Sequence, residues 1–431
     1  MKVKVIGGGL AGVEAAYFLA NRGIEVLLYE MKPLKYSEAH QSELLGELVC
    51  SNSLRSNDLK TAVGLLKREM EMLGSLVMKA AKAAHIPGGT SLIVDREIFS
   101  NYLTNEIKNH ENITLIHEEV TAINLEIPTI IAAGPLASND LVESLLKLTG
   151  EDNLNFYDAV SPIVRYDSIN LDVCYFKDRY QEGKGTYLNC PMTKEEYDQF
   201  YEALVKAPRY APKDFEKDIF EACMPIEVMA ERGYQTPLFG PLKPVGLERN
   251  GDRPYAVVQL RPEDFSNKMY NLVGFQTSLR QGAQRDVIRM IPGLENAEIL
   301  RYGVIHRNTY FNSPKILYNG FQFKKYPNLY LAGQISGVEG YVESAASGIA
   351  AAINLYSNLK NSGSLHFPSE TILGSLSRYV STPNNNFVPM NANFGIVPIL
   401  ENKIKKRERK MAYAKRAIES LEKFKKENEW I

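Results

Sequence analysis

Val3-Lys4-Val5-Ile6 alternates apolar and polar positions as a short strand does, three glycines interrupt it, and an alanine-rich run of helical period continues to about Arg22. Glu25 to Tyr29 forms a second apolar segment ending at Glu30, so the first thirty residues predict a β-α-β unit. After a polar loop the spacing predicts one long helix from about Thr61 to Ala84 and another from Asp95 to Asn109. Thr129 to Ala133 then reads as a buried strand running into Gly134, as parallel strands do where they reach a ligand crevice.

The pattern changes from about Phe156 to Arg301. Short alternating stretches such as Ala256-Val257-Val258-Gln259-Leu260, frequent turn residues and acidic helical patches around Lys194 to Val205 predict a β-rich insertion. Near Tyr302 the first pattern resumes: Asn328 to Ala332 reads as a buried strand into Gly333-Gln334, and Ser344 to Leu355 as a helix of small residues. Such a helix can approach a bound ring or phosphate closely. The expected architecture is α/β: a discontinuous Rossmann-like domain over residues 1–155 and 302–431, with a smaller α+β, β-rich domain over 156–301 inserted in it.

The glycine string gives this architecture a chemistry. Gly7-Gly8-Gly9-Leu10-Ala11-Gly12 lies between a strand and a helix, where glycines permit a tight turn and close approach to a pyrophosphate, and the helix N-terminus offers free N–H groups. Glu30, at the end of the next strand, suits both hydroxyls of a ribose and disfavours a 2′-phosphate, hence NADP, at this site. Gly134, Gly333, Gln334 and Gly340 are the candidates for the far wall.

Net charge changes little at first sight, at −1 for 431 residues. Its distribution says more: Glu401 to Ile431 carries eleven Lys or Arg against six Asp or Glu, on an amphipathic helix with apolar positions at Ile404, Met411, Ala414, Ile418, Leu421 and Phe424. Lys405, Lys406, Arg407, Arg409 and Lys410 are candidate contacts to RNA phosphates, although such a run also serves as a plain solvated face. No apolar run approaches the roughly 18 residues of a membrane span and no leader pattern precedes the first strand, which together predict a cytoplasmic protein.

Four cysteines, at 50, 174, 190 and 223, form no CxxC pair and no zinc spacing, and the six histidines are scattered, so no metal is expected. Cys50 lies among hydroxyls, an amide and a guanidinium in Cys50-Ser51-Asn52-Ser53-Leu54-Arg55, and Arg55 is the candidate source of positive charge beside it. Cys223 precedes Met224-Pro225, with no partner evident.

Seven blocks in order resemble the folate- and FAD-dependent tRNA (uracil-5-)-methyltransferases, the TrmFO family, smaller relatives of the wobble-uridine enzyme GidA. They are Gly7 to Gly12; Ala39-His40-Gln41 with Glu47 to Arg55; Cys223 to Glu227; Gly274-Phe275-Gln276-Thr277; His306 to Tyr310; Gly333 to Ser344; and Pro389 to Gly395. The resemblance implies an FAD-binding domain of the GidA type and methylation of C5 of the T-loop uridine, position 54, of tRNA. The carbon would come from methylenetetrahydrofolate and the reducing equivalents from FADH2, regenerated by NADH or NADPH.

By position, Cys223 would add to C6 of the uracil ring, which makes C5 nucleophilic. Cys50 would act beside the flavin, as base or as a cap on the one-carbon unit. His306, Arg307, Asn308 and Tyr341 would hold the pterin, a flat ring suited to stacking. A ribosomal RNA uridine as target, a GidA-like wobble modifier, a flavin thiol oxidoreductase and a non-catalytic flavin-bound RNA-binding protein remain the alternatives.

Overall fold

Five short apolar segments, too short for helices and rich in Val, Ile and Leu, pair as one parallel sheet in the spatial order Leu329–Leu331, Thr129–Ile131, Lys2–Ile6, Glu25–Glu30, Ile113–His117. Val3 faces Val26, and Ile6 and Leu331 both face Ile131, so the first strand is buried between neighbours. The computed structural model describes residues 1–151, 153–179, 183, 185–210, 224–401 and 404–431.

The helices Leu10–Ala20 and Tyr341–Leu359 pack face to face at the centre of the first core. A Cβ on Gly348 would stand 2.1 Å from the Ala11 carbonyl oxygen, so only the absence of a side chain lets these backbones meet. Small residues in the second helix therefore serve contact with the glycine turn.

The stretch from Thr61 to Ala84 is two helices, Ala62–Met72 and Leu76–Ala83. Gly74 takes φ +81°, and the Ser75 side chain caps the second helix by accepting from Met78 N at 3.0 Å. The break also serves buried Glu14, whose carboxylate accepts from the N–H groups of Leu76 and Val77 at 3.0 and 2.9 Å. By contrast Arg96–Lys108 follows its expected bounds, with Asp95 as N-cap.

Buried Glu69 caps another helix, accepting from Ile372 N at 2.8 Å and Leu373 N at 2.9 Å at the start of Ile372–Tyr379. Burial pushes its carboxyl up to about 7 despite both donors. The folded state thus holds this proton more tightly than the unfolded chain. Its contribution is full below the ordinary 4.5 and is lost as pH rises through about 7. Urea midpoints across this window should fall for the wild type relative to Glu69→Gln; parallel curves would contradict this titration.

Residues of the middle region form a six-stranded antiparallel sheet in the order Tyr175–Phe176, Leu188–Met192, Ala256–Pro262, Met269–Leu272, Ile163–Arg165, Ile299–Arg301. It has its own core around Leu188, Phe200, Val258 and Leu272. Cys174 and Cys190 are free and buried in that core, sulfur to sulfur 3.2 Å. The antiparallel pair Asn153–Ala159 and Ile305–Phe311 joins this region to the parallel-sheet body, with His306 opposite Asp158.

The C-terminal helix, Lys406–Glu427, buries Ala414, Ala417, Leu421 and Phe424 against the body, and the Phe424 ring lies 5.0 Å from Phe367. Met411 is expected on that apolar face but is exposed; the contact with the body runs from Tyr413, stacked on Phe394 at 5.3 Å, and Ala414 onward. Among the described residues no helix is long and apolar enough to cross a membrane.

Candidate active site

The turn after the first strand is shaped by what its glycines exclude. Gly7 has φ +104° and a Cβ there would lie 2.5 Å from the Ala132 carbonyl oxygen; a Cβ on Gly12 would lie 1.8 Å from the carbonyl oxygen of Gly7. Gly9 differs, since nothing stands within 4 Å of where its Cβ would be. It is the N-cap of Leu10–Ala20 and no side chain caps that helix, so the unpaired N–H groups of the first turn face open space.

That space is the end of a 410 Å³ cleft. Gly7, Gly8, Gly9, Leu10, Ala11, Glu30, Gly134, Gly333, Gln334 and Gly340 all line it, while Gly12 lies behind, holding turn and helix together. Glu30 accepts from Gly8 N at 2.8 Å and Lys32 N at 3.0 Å. Each carboxylate oxygen keeps a lone pair for a ribose hydroxyl. An open helix N-terminus, an open Gly134 and a fixed carboxylate fit the diphosphate and ribose of a dinucleotide.

Cys50 lies in the same cleft, on a loop held from three sides. Arg96 donates to Leu48 O at 2.5 Å and, through Nε, to Glu263 at 2.7 Å. Arg261, on the strand Ala256–Pro262, donates to Asn52 Oδ1 at 2.8 Å and Ser51 Oγ at 2.9 Å. Tyr341 accepts from the backbone N–H groups of Cys50 and Ser51. Both parts of the molecule thus build the cysteine loop.

Arg55 does not serve Cys50. Its guanidinium pairs with buried Glu343, which also accepts from Ala392 N at 2.7 Å. Buried Lys67 braces this wall, donating to the carbonyls of Leu54 and Arg55 at 2.8 and 3.0 Å. Burial and the nearby Asp158 carboxylate push the Cys50 thiol up to about 12, against Tyr341 and Arg96, which favour the thiolate. The resting residue is therefore a thiol at neutral pH.

Of the four pterin candidates, His306, Asn308 and Tyr341 line the cleft. Burial holds His306 below its usual range, hence neutral, with Nε2 3.9 Å from Asp158 Oδ2. His306 Nδ1 and Asn308 Oδ1 are buried and have no hydrogen-bond partner among the described residues. Arg307 is not brought in: successive residues of a strand face opposite sides, and it is exposed on the outer face of Ile305–Phe311.

Cys223 lies outside the described residues. The next residue, Met224, packs with Val228 against Tyr157 and Ile305, the neighbours of Asp158 and His306. Beyond it, Ile226 N donates to Gln276 O at 2.8 Å and the Glu227 carboxylate accepts from Thr277 and Ser278. Lys405, Lys406, Arg407, Arg409 and Lys410 are all exposed at the start of the last helix. Sequence reasoning missed Arg96, Arg261, Asp158 and Glu339; burial and Asp158 push the Glu339 carboxyl up to about 8, and it accepts twice from Gln334 at 2.9 Å. A lone arginine in the apolar strand Ala256–Pro262 was the one local signal.

Parallel sheet, glycine turn and adjoining cleft define a dinucleotide-binding α/β protein with an inserted antiparallel domain. The Glucose inhibited division protein A family matches residues 2–363. Two solved structures of Aquifex aeolicus GidA share the fold, with TM-scores of 0.68 and 0.69 at 18% identity, covering 97% of this chain and 73% and 76% of theirs. The TrmFO methylenetetrahydrofolate--tRNA-(uracil-5-)-methyltransferase of Staphylococcus epidermidis is 55% identical over 98% of this chain and 99% of its own. That of Bacillus subtilis is 56% identical over 97% and 98%. The chain belongs to this TrmFO family, within the wider GidA group.

Proposed function

We propose that this protein methylates C5 of a tRNA uridine, position 54 in the T-loop, using methylenetetrahydrofolate as carbon donor, FAD as cofactor and NADH or NADPH as reductant. Relatives of that name at more than half identity over nearly the whole chain support the reaction. The observation that carries the reading here is one cleft joining the open glycine turn to Cys50 and to the unpartnered polar atoms of His306 and Asn308. Reduced FAD supplies the hydride equivalent that makes a methyl group of a methylene.

The chain does the rest by holding and placing. The N–H groups after Gly9 take the diphosphate and Glu30 the adenosine ribose, while Gly134, Gly333, Gln334 and Gly340 leave room along the walls. His306, Asn308 and the ring of Tyr341 hold the pterin, the two orphaned atoms supplying a matched donor or acceptor. Cys223 adds through sulfur to C6 of the uracil, sending an electron pair toward C5. Cys50, once ionised, removes the C5 proton after carbon transfer, and Cys223 leaves as the ring double bond re-forms.

The T-arm is gripped by the exposed basic turn, Lys405, Lys406, Arg407, Arg409 and Lys410, through phosphates rather than bases. Residues 1–155 with 302–431 form the FAD domain, 156–301 the inserted one, and the substrates place the protein in the cytoplasm. The test is to incubate the flavoprotein with methylenetetrahydrofolate, NADPH and tRNA transcript and measure 5-methyluridine by mass spectrometry. Cys223→Ala should lower product about a thousandfold or more. Product on ribosomal RNA alone would move the target, and undiminished product in the variant would remove Cys223 from the chemistry.

A further inference from the structure

Tyr341 is the first residue of the helix Tyr341–Leu359, and its hydroxyl oxygen receives the N–H of Cys50 at 2.8 Å and of Ser51 at 3.2 Å. A phenol oxygen has two lone-pair sites and one proton to give. With both sites taken, that proton needs an acceptor, and Cys50 Sγ stands 3.0 Å away. The reverse arrangement, S–H donating to the phenol, would put a third donor on an oxygen with two lone pairs.

We infer that Tyr341 is a positioning residue for Cys50, donating its phenol proton to the sulfur so that the thiolate is stabilised and the thiol's own proton is turned away from the phenol. The assignment goes beyond a stacking role for the ring, and it rests on the proposed reaction only in that Cys50 has to ionise there. A thiol in the cleft wall, its charge opposed by a nearby carboxylate, would otherwise have only the Arg96 charge to favour its ionised form.

The groups around the sulfur divide cleanly. Asp158, from the strand Asn153–Ala159, and Glu339, just ahead of the tyrosine helix, oppose the thiolate; Arg96, from Arg96–Lys108, and Tyr341 favour it. Arg96 acts through charge from behind the loop, where it is engaged with Glu263 and Leu48 O. Tyr341 alone of these is in hydrogen-bond contact with the sulfur. It also fixes the loop, because the same oxygen anchors two successive N–H groups.

The experiment follows alkylation of Cys50 by iodoacetamide in the flavin-bound protein carrying Cys223→Ala, read on the Cys50 peptide by mass spectrometry as a function of pH. In that reaction the thiolate forms a sulfur–carbon bond as iodide leaves. Tyr341→Phe keeps the ring and should slow alkylation about tenfold at each pH, the effect of losing one hydrogen bond to a charged group. Site-specific 3-fluorotyrosine at position 341, a stronger donor of nearly the same shape, should speed it. An unchanged or faster rate in Tyr341→Phe, or an unchanged or slower one with fluorotyrosine, overturns the inference. Retained flavin colour shows that each variant's cleft is built. Methylation by the wild type is assayed in parallel, so that a failed reaction and a failed hydrogen bond are told apart.

Discussion

Gly12→Ala is expected to cost about 3 kcal/mol of stability and to give a protein without visible flavin absorbance, because the added Cβ meets the Gly7 carbonyl oxygen at 1.8 Å. No rotamer change relieves a clash with backbone. Gly7 has little room to retreat either, since even a Cβ built on it would meet the Ala132 carbonyl oxygen, just past the neighbouring strand, at 2.5 Å. The turn and the first helix must separate, and the helix N-terminus then loses its aim at the cleft. Urea unfolding and the flavin-to-protein absorbance ratio check both halves of the expectation. Full flavin content with an unmoved midpoint would mean that this turn is not what holds the cofactor.

Arg96→Ala is the second large effect. Glu263 is buried at 3% exposure and takes its short hydrogen bond from Arg96, with Arg261 next at 3.9 Å. Removing the arginine leaves a buried carboxylate with that more distant charge alone, which typically costs about 3 kcal/mol or more. The same change frees the carbonyls of Leu48 and Val49, so the Cys50 loop loses its rear support. Denaturant unfolding should show the loss and the methylation assay a fall larger than instability explains. The double variant Arg96→Ala with Glu263→Gln should recover part of the stability. A single variant as stable as wild type would show that the pair is not structurally required.

What could be read in the chain followed how locally each feature is encoded. The glycine turn, its strand and helix, and Glu30 lie within thirty residues, and backbone sterics alone dictate their arrangement. Arg307 could have been set apart from His306 and Asn308 by the alternation of a strand, and the break at Gly74-Ser75 carries an ordinary stop and cap; in both places the signal was present. Arg96 with Glu263 and Arg261 with Asn52 are different. Their partners are 167 and 209 residues apart, and no periodicity records such a meeting. Arg55 shows the converse, a neighbour of Cys50 in sequence that a helix 288 residues away claims first.

Gly7, Gly9 and Gly12, three of the four glycines at the head of the first helix, answer to different constraints. Gly7 and Gly12 are required by the protein's own backbone, whereas the space above Gly9 is empty of protein. A library of variants sorted for folding alone would hold positions 7 and 12 and let position 9 drift. Only sorting for retained colour would restore glycine there, so the ligand leaves its own imprint on which sequences survive.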